Sequence, residues 1–126
     1  MNITGFDHIV LVVDNVAATC RFYAEVLGMD AREESPGKWA LFFGANKISL
    51  QEDGSAPALA KGTVPGSGNF CLLTQTPITT IAKTLRNHNI DILDGPAEKI
   101  GATGRLMSVY FRDPDGNLVE VSNRLD

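Results

Sequence analysis

The segment 112–121, with the sequence RDPDGNLVEV, constrains the fold of this chain more than any other stretch. One run of apolar, β-branched and aromatic residues, 106–111, precedes it, and a second run, 118–121, ends it. Pro114 fixes φ and lacks a backbone donor, and the Asp-Gly pair that follows tolerates positive φ. Because an Asp-Gly pair between two apolar runs is a strong hairpin signal, the segment predicts two antiparallel strands joined by a tight turn.

The second of these strands has two chemically different faces. Side chains alternate along a strand, so Val119 and Val121 face one way, and Glu120 and Ser122 face the other with Leu118. A carboxylate in the middle of a strand is costly to bury unless a positive group meets it. Two interpretations of Glu120 therefore stay open here: an exposed residue on a solvated face, or a functional carboxylate.

Composition excludes several classes of function. The 126 residues are 44% hydrophobic and 21% charged, which is typical of one soluble globular domain. A net charge of −4 without a basic run argues against nucleic acid as a partner, and no apolar run approaches the ~20 residues of a membrane span. Cys20 and Cys71 share no motif, which predicts two small buried thiols in a reducing cytoplasm.

The first half of the chain predicts a strand, a helix and three further strands. Residues 6–13 form the first strand, and Asp14-Asn15 offers an N-cap for a helix that Gly28 ends. Short apolar segments then follow around Ala31 and at 39–43 and 47–51.

The second half repeats this order after a loop at 52–67 that is rich in Gly and Pro. A strand at 69–74 leads to a helix capped by Thr76 or its neighbour, and Asn89 stands where Gly28 stood. Residues 90–93 are predicted to be extended and 101–104 to form a flexible loop before the hairpin.

This repeat predicts an α+β fold of two βαβββ modules within a single domain, 1–126. Module one is 1–52, the linker is 53–67 and module two is 68–126. Neither module alone covers both faces of its sheet, so we expect the two curled mixed sheets to form a cleft with the helices outside.

Three segments resemble the signature segments of the vicinal oxygen chelate superfamily: DHIVLVV at 7–13, RFYAEVLGM at 21–29 and YFRDPDGNLVEV at 110–121. This superfamily includes glyoxalase I, extradiol dioxygenases, methylmalonyl-CoA epimerase and the fosfomycin and bleomycin resistance proteins. The Gly-Ala-Thr-Gly loop at 101–104 looks most like the small glyoxalase-domain-5 group and its bacterial, virulence-associated relatives.

The resemblance implies a metal site with ligands from four strand positions. Carried over, these are His8, Asn69, Glu120 and, in the first module, Gln51 or Ser49. We take Gln51 as the ligand and Ser49 as a substrate contact, although the sequence alone does not decide between them. The implied cofactor is one divalent ion (Mn, Ni, Mg, Fe or Zn), for which the amides are acceptable oxygen donors but a poor match for Zn²⁺.

The resemblance also suggests further site residues. Glu120 and Tyr110 are the candidate catalytic residues, and Tyr110, Ser108 and Arg105 join Ser49 as candidate substrate contacts. Arg105 suits a substrate carboxylate or phosphate, because a guanidinium binds such groups in bidentate fashion. The alternatives are a rim aromatic for Tyr110 and an exposed arginine without such a role for Arg105.

Two hypotheses of function follow. In the first, the protein is a small cytoplasmic metalloenzyme of the lactoylglutathione lyase or dioxygenase type, acting on a small carbonyl or enediolate substrate. In the second, it is a metal-free ligand-binding protein of the bleomycin-binding type. In either case relatives of this size imply a homodimer with a small molecule as its other partner.

Overall fold

The protein consists of two compact units, Met1–Gly66 and Ser67–Asp126. The structure is a computed structural model, and it describes residues 1–55 and 59–126. Part of the predicted linker 53–67, residues 56–58, lies outside the described residues. The exact linker and the organisation as a single domain therefore stay predictions.

Each unit has the predicted βαβββ order. The first contains β1 (His8–Val13), α1 (Val16–Glu25), β2 (Asp30–Ser35), β3 (Lys38–Phe43) and β4 (Asn46–Glu52). The second contains β5 (Asn69–Leu73), α2 (Ile78–Asn87), β6 (Asp94–Ile100), β7 (Arg105–Arg112) and β8 (Leu118–Arg124). The strand orders are β1-β4-β3-β2 and β5-β8-β7-β6, and in each sheet the first pair is parallel and the other two are antiparallel. The α+β repeat is confirmed.

Within residues 1–55 and 59–126, neither helix has the length and the apolar run that a membrane crossing requires.

The ends of α1 follow the local sequence. The Asn15 side chain accepts a hydrogen bond from the backbone N–H of Ala18 at 2.9 Å, which satisfies one of the free donors of the first turn. After the helix, Gly28 adopts φ +71°, and the N–H of Met29 reaches back to the carbonyl of Tyr23 at 3.0 Å. The predicted N-cap is confirmed, whereas the C-cap residue is Val26 and Gly28 turns the chain two residues later.

The start of α2 is capped from a distance, which the sequence did not predict. Pro77 occupies the N-cap position and makes no side-chain cap bond. Instead, Asn123 on β8 accepts from the N–H of Ile78 through its side-chain oxygen, at 2.8 Å. Its amide nitrogen donates to the carbonyls of Thr74 and Thr76, both at 2.8 Å. The N-cap residue is thus the neighbour of Thr76, as predicted, but the capping hydrogen bond comes from a residue of the last strand.

The position of the strand β6 was missed. Residues 90–93 were predicted to be extended, but the strand begins at Asp94 and contains Gly95-Pro96. Both residue types are rare inside strands, which hides the element from a propensity argument. A Cβ on Gly95 would lie 2.2 Å from the carbonyl oxygen of Ser108 on β7, so only glycine fits at this close approach.

The hairpin between β7 and β8 is confirmed, and its turn is held by side chains. Asp113 accepts from the N–H groups of Asp115 and Asn117 through Oδ1, at 3.0 and 2.9 Å, and from the Asn117 amide through Oδ2, at 2.8 Å. Asn117 in turn accepts from the N–H of Gly68 at 2.6 Å, just before β5. This network is buried and fixes β8 beside β5.

Candidate functional site

Glu120 lies on β8 between two chemically active neighbours. Cys71 on β5 and Tyr110 on β7 stand directly opposite it in the two strand registers. On the other face of the sheet, Val119 and Val121 are buried, as the alternation predicted. We call the sheet face that carries Glu120 the Glu120 face.

Ser122 connects the polar groups of the Glu120 face. Its hydroxyl donates to the Glu120 carboxylate at 3.3 Å and lies 3.2 Å from the Cys71 sulfur. It also shares a 2.6 Å hydrogen bond with the hydroxyl of Ser108. Ser108 is fully buried, so in this structure it supports Ser122 and has no exposed surface for a substrate.

The environment keeps both neighbours of Glu120 protonated. Burial raises the pKa of Tyr110 to about 12, and its hydrogen bond to Glu120 and the negative charge of that group act in the same direction. Partial burial also raises the pKa of the Cys71 thiol, against the hydrogen bond with Ser122, which lowers it, and the charge of Glu120 acts in the same direction as burial. Tyr110 is therefore a neutral hydrogen-bond donor at neutral pH, not a base.

A cavity of about 420 Å³ opens over the Glu120 face. Its lining comes from all four strands of the second unit and from the loop after β6: Cys71, Leu73, Lys99, Ile100, Gly101, Ala102, Leu106, Tyr110, Glu120 and Arg124. A carboxylate, a phenol and two cations thus surround a space with apolar walls. Clefts of this size are typical of sites for small molecules.

Arg105 holds the loop beside the cavity and does not line it. Its guanidinium pairs with Asp126 at 2.9 Å and with Glu98 at 3.3 Å, and its N–H donates to Asp126 at 2.8 Å. These contacts fasten the end of the Gly-Ala-Thr-Gly loop to the last residue of the chain. The predicted substrate contact of Arg105 stays untested, but in this structure its charge is already paired.

In the first unit, the imidazole ring of His8 is held in place by the side chain of Asp7, its neighbour in the chain. Its Nδ1 lies 2.8 Å from a carboxylate oxygen of Asp7, and the hydrogen bond lowers the pKa of Asp7. A carboxylate on one ring nitrogen fixes the tautomer and leaves the other nitrogen available as a ligand, which is the usual support of a metal-binding histidine.

The strand registers show whether Ser49 or Gln51 occupies the position in the first unit that Glu120 occupies in the second. His8 pairs with Lys47 in the first parallel pair, and Asn69 pairs with Leu118 in the second. Two residues further along, Ser49 and Glu120 take equivalent places. The register therefore favours Ser49 over Gln51 as the counterpart of Glu120; Gln51 corresponds to Ser122.

The donors only partly fit a metal ion. His8, Glu120 and the exposed Asn69 are nitrogen and oxygen donors of the kind that divalent ions take. However, across residues 1–55 and 59–126 no three side chains from His, Cys, Asp and Glu gather as a ligand cluster. Donors of these kinds suit an ion that keeps several positions for water or substrate, and they do not suit a closed structural zinc site.

Four residues of the site were missed. Cys71 was predicted to be a buried thiol, but it is exposed on the Glu120 face; Cys20 is half-buried. Alternation had already placed Ser122 on the face of Glu120, without a role, and the same rule applied to Asn69 and Glu120 would have found Cys71 and Arg124, which lie two and four residues further along their strands. Lys99, whose ammonium lies 5.3 Å from the centre of the Tyr110 ring, was missed together with β6.

Comparison with known proteins identifies the family. The profile of the Glyoxalase/Bleomycin resistance protein/Dioxygenase superfamily matches residues 5–121. Virulence protein STM3117 of Salmonella typhimurium is 45% identical over 97% of this chain and 85% of that protein. Its crystal structure has a TM-score of 0.95, with 99% of this chain and 100% of that chain covered.

A second relative comes from a fungus. The glyoxalase domain-containing protein RDO1 of Mycosarcoma maydis is 35% identical over 100% of this chain and 72% of that protein. Together with the repeated βαβββ units and the Glu120 site, these matches show that the chain belongs to the Glyoxalase/Bleomycin resistance protein/Dioxygenase superfamily.

Proposed function

We propose that the protein is a glyoxalase-like metalloenzyme that acts on a small carbonyl or enediolate substrate bound over the Glu120 face. Members of its superfamily typically use a divalent metal and bind small molecules. One observation carries the proposal. The Glu120 carboxylate is half-buried in a cavity, and none of the ion pairs of the described residues involves it.

A half-buried carboxylate without a cation is costly, so a divalent ion would stabilise it. His8 is the second strong donor of the proposed ligand set, with Asn69 and Ser49 or Gln51 as weaker ones. When bound, the ion would polarise neighbouring substrate oxygens as a Lewis acid.

The surrounding side chains would orient the substrate. Tyr110, as a neutral phenol, would turn its single O–H from Glu120 to donate a hydrogen bond to a substrate oxygen. Glu120 is the candidate proton acceptor, because it is the carboxylate among the cavity-lining residues. The apolar walls formed by Leu73 and Leu106 exclude water from the rest of the ligand.

Calorimetric titration with Mn²⁺, Ni²⁺ and Zn²⁺ tests the metal site. We expect micromolar binding of at least one ion to the wild type and its loss in His8→Ala and in Glu120→Gln, because each removes a strong ligand. Asp7→Asn should weaken binding about 10-fold through the orientation of His8. If the wild type binds none of the ions, the metalloenzyme proposal is wrong.

A pair of alanine variants tests assembly. Superfamily members often form dimers, and we propose a homodimer near twice 13.6 kDa. β1 and β5 lie at the edges of their sheets, and the exposed Val10 on β1 is an apolar contact residue for a partner. Co-refolded His8→Ala and Glu120→Ala proteins should recover part of the metal binding if one site takes ligands from two chains. A monomer by light scattering contradicts the dimer.

A second candidate function is metal-free ligand binding. The missing cluster of three strong ligands among the described residues favours it. In that case Glu120 would accept a hydrogen bond from the ligand or pair with a ligand cation, and chelators would leave binding unchanged.

We also propose that the protein acts in the cytoplasm.

A further inference from the structure

Arg124 differs from the other cation that lines the cavity. Lys99 is paired with Asp94 at 2.9 Å, so a carboxylate already neutralises its charge. The guanidinium of Arg124 donates to the hydroxyl of Thr103, which is a neutral partner. None of the ion pairs found in the described ranges, 1–55 and 59–126, involves Arg124.

The position of Arg124 is fixed by the strand and by the loop. It is the last residue of β8, four residues beyond Glu120, and Thr103 belongs to the Gly-Ala-Thr-Gly loop. That loop packs tightly, since a Cβ on Gly101 would lie 2.8 Å from the side chain of Leu106 in the cavity wall. The guanidinium is therefore held at the cavity rim with most of its donors unused.

A guanidinium has five N–H donors in a planar fork, a geometry that matches a carboxylate or a phosphate. The cavity also has room and apolar surface for the rest of a small ligand, from Leu73, Ile100 and Leu106. Glu120 would repel an anionic group. Glu120 and Arg124 thus favour one orientation of the ligand, with its anionic group at Arg124 and its neutral oxygens beside Tyr110.

We propose that Arg124 binds the anionic group, a carboxylate or a phosphate, of the small molecule that occupies this cavity. The inference rests on the proposed function, because it assigns a substrate class to the same site. The ligand is a small organic acid or phosphate monoester with an apolar body and a carbonyl or hydroxyl oxygen at the end opposite its charge.

Protection of Cys71 from alkylation tests this proposal, because its thiol lines the cavity. The probes are hexanoate, hexyl phosphate and neutral hexanamide, each titrated with and without Mn²⁺. Peptide mass spectrometry follows iodoacetamide labelling of Cys71, with Cys20 in the first unit as the internal reference. Protection is taken as a ratio within each variant, because loss of Arg124 itself alters the Cys71 pKa.

We expect an anionic probe to slow the labelling of Cys71 and not that of Cys20. Arg124→Gln should raise the half-protecting concentration of this probe about 10-fold, because it removes a charge-assisted bidentate contact, and should leave hexanamide unchanged. Arg86→Gln is the matched control, since it removes the same charge from α2 in the same unit. Comparison of the protection by hexanoate with that by hexyl phosphate shows whether the site prefers a carboxylate or a phosphate.

Two results would overturn the inference: equal protection in wild type and Arg124→Gln, or no protection of the wild type by either anion. Failure of the proposed function would give a different pair of results. There, Mn²⁺ binding is absent from the wild type, whereas the anion effect of Arg124→Gln persists. Conversely, intact Mn²⁺ binding with no effect of Arg124→Gln removes only the substrate class.

Discussion

The two units share one order of elements but use their exposed sheet faces differently. In the first unit, the cations beside the ring of Phe42 are paired: Arg32 with Asp30 at 2.5 Å and Lys47 with Glu34 at 3.1 Å. In the second unit, hydroxyls, a thiol and a phenol surround Glu120, and the guanidinium of Arg124 donates to the neutral hydroxyl of Thr103. The repeat thus provides the frame, and on the Glu120 face two charged side chains, Glu120 and Arg124, take part in none of the ion pairs of the described residues.

The units also differ in the sequence separation between the residues that form their stabilising contacts. The β3–β4 turn consists of Gly44 and Ala45, and α1 is capped by the residue beside it. The β7–β8 turn is closed by Asp113 and Asn117, and α2 is capped from β8. We therefore expect substitutions at polar residues to cost more stability in the second unit than in the first.

The largest difference should appear at the turns. Asp113→Ala removes three hydrogen bonds from a buried carboxylate, and we expect a loss of about 3–4 kcal/mol in the free energy of unfolding. The control is Asn46→Ala in the first unit, where an exposed side chain follows the turn and the loss should stay within about 0.5 kcal/mol. Urea denaturation measures both free energies of unfolding. Equal losses in the two variants would contradict the proposed difference between the units.

A smaller difference is expected at the helix caps. Asn123→Ala removes the bond to Ile78 and both bonds to the strand-to-helix connection, so we expect about 2–3 kcal/mol. Asn15→Ala removes one cap bond and should cost about 1 kcal/mol. Thermal unfolding in parallel compares them, and a larger effect of Asn15→Ala would show that the distant cap adds little.

The smallest effect concerns ionisation on the Glu120 face. The folded state holds the Tyr110 proton more tightly than the unfolded chain, whose tyrosine pKa is about 10. The stabilisation is therefore complete below that pH and is lost as pH rises towards the folded pKa of about 12. In chelator-treated protein, ultraviolet titration against Tyr110→Phe should show this pKa, and Glu120→Gln should lower it only in part, because burial is the main cause. A pKa near 10 in the wild type contradicts the assignment.

The sequence by itself determined features encoded within a few residues. Alternation placed Val119 and Val121 on one face of the strand and Glu120 on the other, and the Asp-Gly turn, the Asn15 cap and Gly28 marked where elements begin and end. The repeat of these local signals predicted both βαβββ units.

Tertiary structure decided what depends on partners far apart in the chain. The cap of α2 joins Ile78 to Asn123, and Arg105 pairs with Asp126, 21 residues further along the chain. Strand register gave Ser49 the place equivalent to Glu120 and buried Ser108 against Ser122. The physical reason is that a cap or a turn is satisfied by its own neighbours, whereas the environment of a side chain on a sheet depends on strands that pair only after folding.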